Sequence, residues 1–427
     1  MKSYQQTIQY LYNLQYRGIK LGLKNIGHLL DYLGNPQEKF PAIHIAGTNG
    51  KGSTAAFIYS ILKSAGYRVG LYTSPHLVDF TERIRVDDKL ISWKTVVEYT
   101  RTLRPIIDKI RPTFFEATTA IAFRYFAEKQ VDIVVVETGL GGRLDATNLV
   151  KAILTIITPI GYDHQQFLGK HIDQITAEKA GIIKRGIPCL TNNSLPEILE
   201  VIKQRCKVKN APFLVLKEEA IQNIREELTG SCFTLDFGSI SFQDLNIRMP
   251  GLHQIKNAAL SAFAICHLPD FKVDEKDIRN GLAKAFWPGR LEIIKQCPLV
   301  ILDVAHNPQG FECVFDFLRR HVRGQRIFTL IGLSKDKDFQ KIADITSRNT
   351  NFIGIIKNFS EKALSASYLE KAFSTMPETP VIFEDIAKGY EYFVSRMRLN
   401  DVLLIIGSHY LAGEFLKKYK IVDFNKY

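Results

Sequence analysis

A short apolar run, a glycine-rich turn and a helical stretch follow one another between Pro41 and Gly66, and no other part of the chain restricts its fold as strongly. Pro41–Ala46 (PAIHIA) reads as a buried strand. It runs into GTNGKGS and then into STAAFIYSILKSAG, a helix that Gly66 closes. In such a unit the turn presents backbone N–H groups to an anion, and the helix dipole adds to the attraction. Gly47, Gly50 and Gly52 permit close backbone approach to phosphate, with Thr48 and Asn49 between them. Lys51 can reach the outer phosphates, and Ser53 can ligate Mg²⁺ at the helix start. The segment departs from the standard phosphate-loop pattern: Ile45 stands where a glycine belongs, and Gly52 separates Lys51 from the hydroxyl residue. The flanking strand and helix supply the context of a nucleoside triphosphate site. A purely structural turn is the alternative.

The same alternation of strand and helix continues, which predicts an α/β fold with a mostly parallel sheet. Arg68–Tyr72, Val131–Glu137, Ala152–Pro159 and Ile187–Leu190 read as strands, and 173–184 as a helix closed by Gly186. Residues 213–250 alternate polar and apolar and predict a small antiparallel element. Helix returns at 254–267 and 274–284. Phe286–Arg290 (FWPGR) then breaks the pattern, and a fresh α/β series follows. Its strands are expected at 298–303, 326–332, 352–356, 380–383 and 402–407. With 427 residues, the chain is long for one core. Two domains are expected, 1–287 and 288–427.

Ligands of open α/β sheets bind beyond the carboxyl ends of the strands. Ser74, Glu137, Asp163 and His164 lie there in this reading. A hydroxyl, a carboxylate and an imidazole converging beside a triphosphate could hold Mg²⁺, although that ion prefers oxygen. His164 could equally cap a helix or touch substrate, and Glu137 could be a solvated strand end. Lys179, in ITAEKAGIIK, reads either as a snorkelling surface lysine or as a buried amine able to form a carbamate. In the second half, LDVAHNPQG places Asp303, His306 and Asn307 past a strand, and Ser408 follows another. Arg290 could stack on a base or hold a phosphate. Capping, turn and surface roles are the alternatives for each.

The net charge of +12 admits nucleic acid, an anionic membrane surface or small polyanionic substrates. The basic residues are spread along the chain and do not interleave with aromatics, which disfavours nucleic acid. No apolar run approaches the ~20 residues that span a bilayer, and the start lacks a signal-peptide core, so a cytoplasmic protein is expected. The six cysteines, Cys189, Cys206, Cys232, Cys266, Cys297 and Cys313, are scattered and form no CxxC pair, so neither a zinc site nor a disulfide framework is indicated.

Several long motifs occur in order: HIAGTNGKGS, YTSPHLVDFTERIRV, FFEATTAIAF, VVVETGLGGRLDATN, GYDHQQFLG, EKAGIIK, GLHQIKNA, WPGRLEII and LDVAHNP. Together they resemble the folylpolyglutamate synthase and dihydrofolate synthase family of the Mur ligase superfamily, over nearly the whole chain. The resemblance implies an N-terminal ATPase-like parallel-sheet domain, a smaller Rossmann-like C-terminal domain and an active site in the cleft between them. It implies a ligase of folate biosynthesis that uses ATP to join L-glutamate to dihydropteroate, to a reduced folate, or to both. Thr48, Asn49, Gly50, Lys51, Gly52 and Ser53 would bind ATP phosphates, and Asn257, Arg290 and Asp303 would hold ATP from the facing side. Ser53, Ser74, Glu137 and His164 would bind Mg²⁺, and carbamylated Lys179 would serve a second Mg²⁺. The resemblance also leaves room for a monovalent cation. Phe115, Glu116, Ala117, Thr118, Leu144, Asp145 and Ala146 would line the pterin-bearing substrate, with a contribution near Leu21. His306 and Ser408 are candidates for the glutamate side, with Lys51, Lys179 and His306 catalytic. No nucleic-acid or membrane partner is implied, and a monomer is expected. A cell-wall ligase of the same superfamily, a nucleotide switch and a nucleic-acid-binding ATPase are the other readings of the phosphate loop.

Overall fold

The computed structural model describes residues 3–14, 22–374 and 376–419. Leu21 lies outside them. Eight strands build the first sheet: β1 (Ala42–Ala46), β2 (Val69–Tyr72), β3 (Ile84–Val86), β4 (Lys89–Leu90), β5 (Ile133–Glu137), β6 (Ala152–Ile157), β7 (Cys189–Thr191) and β8 (Phe213–Val215). Their order is β4-β3-β2-β5-β1-β6-β7-β8. In that order every pairing from β2 through β5, β1, β6 and β7 to β8 is parallel, and the β2–β3 and β3–β4 pairings at the edge are antiparallel. A parallel strand with helices on both faces must be apolar throughout. Accordingly every residue of AIHIA and IVVVE is buried.

One face of this sheet packs against the helices Lys51–Ser64, Leu252–Cys266 and Glu275–Lys284, and the other against Lys24–Tyr32, Trp93–Ile110 and Phe114–Glu128. An antiparallel sheet, β9 (Ile221–Glu227), β10 (Gly230–Phe237) and β11 (Ile240–Ile247), adds Phe233, Leu235 and Leu245 to the first core. The six-stranded second sheet comprises β12 (Glu292–Gln296), β13 (Leu299–Leu302), β14 (Ile327–Ile331), β15 (Phe352–Ile356), β16 (Val381–Phe383) and β17 (Val402–Ile406). Its order is β12-β13-β17-β14-β15-β16, parallel except at the β12 edge. The α/β architecture with a second, smaller α/β unit is therefore present.

Two local expectations need correction. The helix predicted over 173–184 runs only from Ile172 to Ala180. Its last turn is pre-empted: the Glu178 carbonyl accepts the N–H of Arg143 at 2.7 Å, so the loop before residue 145 takes the place of the next helical bond. Phe213–Val215 does not join the antiparallel element but pairs parallel with β7, extending the main sheet.

Gly281 is where the helix Glu275–Lys284 crosses Lys51–Ser64. A Cβ there would lie 2.6 Å from Ile61 N, and Ser60 Oγ donates to the Gly281 carbonyl at 2.7 Å. Gly281→Val is expected to force these helices apart and destabilise the fold by roughly 3 kcal/mol, as overpacking against backbone does. Thermal and denaturant unfolding check this; an unchanged midpoint would remove the crossing as a packing constraint.

Candidate active site

The register brings four strand ends level. Ile45 pairs with Glu137, Ala46 with Ile157, and Tyr72 with Val136, so the loops after β1, β2, β5 and β6 open side by side. Across from them, Leu302 pairs with Ile405 and Ile331 with Ile406, which aligns the loops after β13, β17 and β14. Between the two sets lies a cavity of about 1110 Å³.

The phosphate loop forms one wall. Gly50 has a left-handed φ of 83° and precedes the helix that begins at Lys51. The N–H groups of Thr48 and Asn49 both donate to the Pro159 carbonyl, at 3.0 and 3.2 Å. Lys51 Nζ folds back on the Gly47 and Thr48 carbonyls, at 3.2 and 3.1 Å. Ser53 Oγ is buried and has no hydrogen-bond partner.

Charges crowd this wall. Glu137 is 5% exposed, and its carboxylate accepts the Ser74 N–H at 3.1 Å. Burial raises its pKa, opposed by the nearby charges of Lys51 and Arg290. Lys179 is 4% exposed and has no carboxylate against it; its Nζ donates to the Gly47 carbonyl at 2.7 Å. Burial, helped by Lys51, brings its pKa down to about 7. His164 adopts a left-handed φ of 49°. Its ring does not turn to Ser74 and Glu137 but stands between Asp163 and Asp336, 3.7 Å from each, and burial brings its pKa down to about 4. Among the described residues no three His, Cys, Asp or Glu side chains are close enough to hold a metal.

The substrate-side residues divide. Phe115 reaches the cavity because Gly139 leaves room for its ring; a Cβ there would lie 2.8 Å from the ring carbons Cε1 and Cε2. Leu144, Asp145 and Ala146 line the cavity too. Asp145 organises their loop by accepting the N–H groups of Gly139, Leu140 and Thr147 and the Thr147 hydroxyl. Behind it, buried His44 contacts Thr147 Oγ1 at 2.8 Å. Glu116 lines the cavity but spends its carboxylate on a capping box with Thr113. Ala117 and Thr118 are not brought to the cavity. Both are fully buried in the helix packing, with Thr118 Oγ1 on the Phe114 carbonyl at 2.8 Å.

On the facing side, Asn257 is 3% exposed, donates to Gln254 at 3.1 Å and stands where a Gly50 side chain would be. Arg290 Nη1 donates to the Gly289 carbonyl at 3.1 Å; burial lowers its pKa against the opposing charges of Asp303 and Glu137. Asp303 accepts the Leu291 and Ala305 N–H groups at 2.8 and 2.7 Å, so it also shapes the crossover between the two sheets. His306 Nδ1 donates to the Val304 carbonyl at 3.0 Å and leaves Nε2 3.6 Å from Asp163. Ser408 is 4% exposed, and its hydroxyl oxygen accepts the Tyr410 N–H at 3.1 Å.

Sequence reasoning missed three participants. Lys337 places Nζ 2.8 Å from Asp163 and 3.2 Å from Asp336. Burial pushes the Asp163 carboxyl up, but His306, His164 and Lys337 outweigh it and hold it well below the usual range. Trp287 sets its indole nitrogen 2.9 Å from where a Gly52 Cβ would be. Gln309 accepts from Asn49 Nδ2 at 2.8 Å, beside an Asn307-to-Asn49 bond of 2.9 Å. The usable signal for Lys337 was position alone: SKDKD follows the end of β14 with two residues between.

Comparison with known proteins agrees with this arrangement. The model of the Mur ligase middle domain matches residues 45–265, and that of the Mur ligase glutamate ligase domain matches 289–409. A Bacillus subtilis protein named dihydrofolate synthase/folylpolyglutamate synthase is 36% identical, covering 98% of this chain and 99% of its own. The Escherichia coli protein of that name is 35% identical over 96% of this chain and 94% of its own. A Mycobacterium tuberculosis folylpolyglutamate synthase solved with ADP and AMPPCP superposes with a TM-score of 0.90 at 29% identity, covering 97% of this chain and 99% of that one. The chain belongs to the dihydrofolate synthase/folylpolyglutamate synthase family of the Mur ligases and is an ATP-dependent, ADP-forming ligase.

Proposed function

We propose that this ligase joins L-glutamate to dihydropteroate and also to the γ-carboxylate of a reduced folate, with residues 1–287 and 288–427 as its two domains. The observation that carries the reading is the single cavity in which the phosphate loop, Glu137 and Lys179 face Arg290, His306 and Ser408. The dual names of the Bacillus subtilis and Escherichia coli relatives support two acceptors. Extension of a glutamate tail alone is the second reading, favoured by the folylpolyglutamate synthase whose fold this chain matches.

An amide forms from a carboxylate only with a better leaving group than oxide. In the proposed sequence the substrate carboxylate takes the γ-phosphoryl group of ATP, giving an acyl phosphate and ADP. The glutamate amine, having lost a proton, attacks that carbonyl and phosphate leaves. Lys51 would leave the loop carbonyls and balance the charge spread over the transferring phosphoryl group. His306 turns Nε2 into the cleft because Nδ1 is committed to Val304, and it would accept the ammonium proton on moving away from Asp163, 3.6 Å distant. Ser408 retains a hydroxyl hydrogen for a glutamate carboxylate, since its oxygen is what caps Tyr410.

The residues fit Mg²⁺. The unpartnered Ser53 hydroxyl and the buried Glu137 carboxylate are hard oxygen donors, and this ion keeps several waters, so a three-carboxylate cage is not required. Ser53, Ser74 and Glu137 would hold it, and His164 would join them only by turning its ring away from Asp163 and Asp336. Bound there, it would offset phosphate charge. Lys179 fits carbamate formation: its amine is buried, lacks an acid partner and has a pKa near 7, so much of it is neutral and can add CO₂ with loss of a proton. The carbamate would present oxygens for a second Mg²⁺.

With ATP and L-glutamate, ADP release is expected on adding either dihydropteroate or tetrahydrofolate, with a product heavier by one glutamyl residue. ADP release that needs neither acceptor would sink the ligase reading; product from tetrahydrofolate alone would select the second. Lys51→Ala is expected to lower kcat by at least about 10²-fold, as loss of a preorganised charge does. Lys179→Ala is expected to fall by a similar factor and recover partly with added formate or acetate. Neutral amine declines about tenfold per pH unit below 7. A one-CO₂ adduct should therefore be seen by native mass spectrometry at pH 8 and fade towards pH 6. An unmodified Lys179 at pH 8 with full activity would exclude the carbamate.

A further inference from the structure

The phosphate loop is held from the far side of the cleft by a directed chain of side-chain amides. The Gly310 N–H donates to Asn307 Oδ1 at 2.8 Å, capping the helix Pro308–His321. Asn307 Nδ2 donates to Asn49 Oδ1 at 2.9 Å, and Asn49 Nδ2 donates to Gln309 Oε1 at 2.8 Å. The two ends of a side-chain amide are similar in shape, so its orientation follows from its partners. Here the first link decides the rest. A backbone N–H can only donate, so Asn307 must give it oxygen and turn nitrogen to Asn49. Asn49 must then turn oxygen to Asn307 and nitrogen to Gln309.

The loop end of this chain is itself anchored. The Thr48 hydroxyl donates to the Gly161 carbonyl and accepts the Gly161 N–H, both at 3.0 Å. Gln309 Oε1 lies 2.6 Å from where a Gly161 Cβ would be. The first turn of the helix Pro308–His321 therefore rests on the phosphate loop and on the segment leading to Asp163 and His164.

We infer that Asn307 and Gln309 are positioning residues for ligation: they clamp the C-terminal unit onto Asn49 and fix the phosphate loop across the cleft. This rests on the ligase reading above. Asn307 is 3% exposed, whereas the Asn49–Gln309 bond lies in solvent. Water competes for an exposed bond, so that link is the weaker of the two. The clamp grips the loop and leaves Asn257 and Arg290, on the facing side, untouched. Its loss should therefore act on turnover more than on nucleotide affinity.

The test uses Gln309→Ala, Asn307→Ser, Asn49→Ala and the Asn49→Ala/Gln309→Ala double variant of the full chain. Serine keeps an oxygen to cap the helix and removes only the amide donor. Steady-state kinetics give kcat and the KM for ATP; small-angle scattering with AMPPCP reads compaction of the cleft. Gln309→Ala and Asn307→Ser are each expected to lower kcat by roughly 3- to 10-fold, the worth of one hydrogen bond, with the KM for ATP within about twofold. Both should compact less with AMPPCP, and the melting temperature of Gln309→Ala should match the parent. The double variant should lose no more than Asn49→Ala alone, because the two residues share one bond. Parent-like kcat and compaction in both single variants, strictly additive losses in the double variant, or a fall in melting temperature for Gln309→Ala would each overturn the assignment. Scattering reads the clamp without turnover, so it stands apart from a failure of the parent to ligate glutamate.

Discussion

Gly47, Gly50 and Gly52 leave no space for side chains, because Thr158, Asn257 and Trp287 already stand where Cβ atoms would be. Three separate parts of the chain converge on one turn: the end of β6, the helix Leu252–Cys266 and the crossover to the second sheet. A loop that brings backbone N–H groups up to phosphate must be bare. Bareness also lets its neighbours close in. The position of the second α/β unit, the cavity and the facing residues all follow from this close approach.

The second organising feature is a set of charges that water no longer screens. An ammonium without an ion-pair partner is costly to bury, and Lys179 shows the expected response, a pKa near 7 despite the opposing charges of Asp163 and Asp145. Glu137 shows the mirror-image response, with burial pushing its pKa up. Such perturbed groups in one cleft mark a working site more than a stabilising one. Lys51, folded onto its own loop carbonyls, belongs to the same economy of charge. Each of these groups is suited to a polyanion and its cations, which would complete the balance.

Much of this was legible along the chain. AIHIA, IVVVE and AILTII had to be buried strands because nothing in them tolerates water on either face apart from His44, Glu137 and Thr155, and all three are buried with partners. The helix after Gly50 and its closure at Gly66 followed from local chemistry. Where expectation and structure part, a distant segment decides. The helix Ile172–Ala180 stops because Arg143 captures the Glu178 carbonyl. Ala117 and Thr118 turn inward because only Phe114, Phe115 and Glu116, on the first turn of their helix, reach the opening. His164 faces Asp336, a residue 172 positions further on.

The sequence by itself determined the phosphate loop, the parallel strands that carry it, the break near Phe286–Arg290 and, through its ordered motifs, the ligase family. Those features depend on local backbone preference and on which segments must be dry. Only the tertiary structure decided that Lys179 lies buried against Gly47 with its pKa lowered, that Lys337 pairs with Asp163, and that Asn49 is gripped by Asn307 and Gln309. Burial and pairing are properties of segments brought together from far apart. No spacing along one strand or helix encodes them.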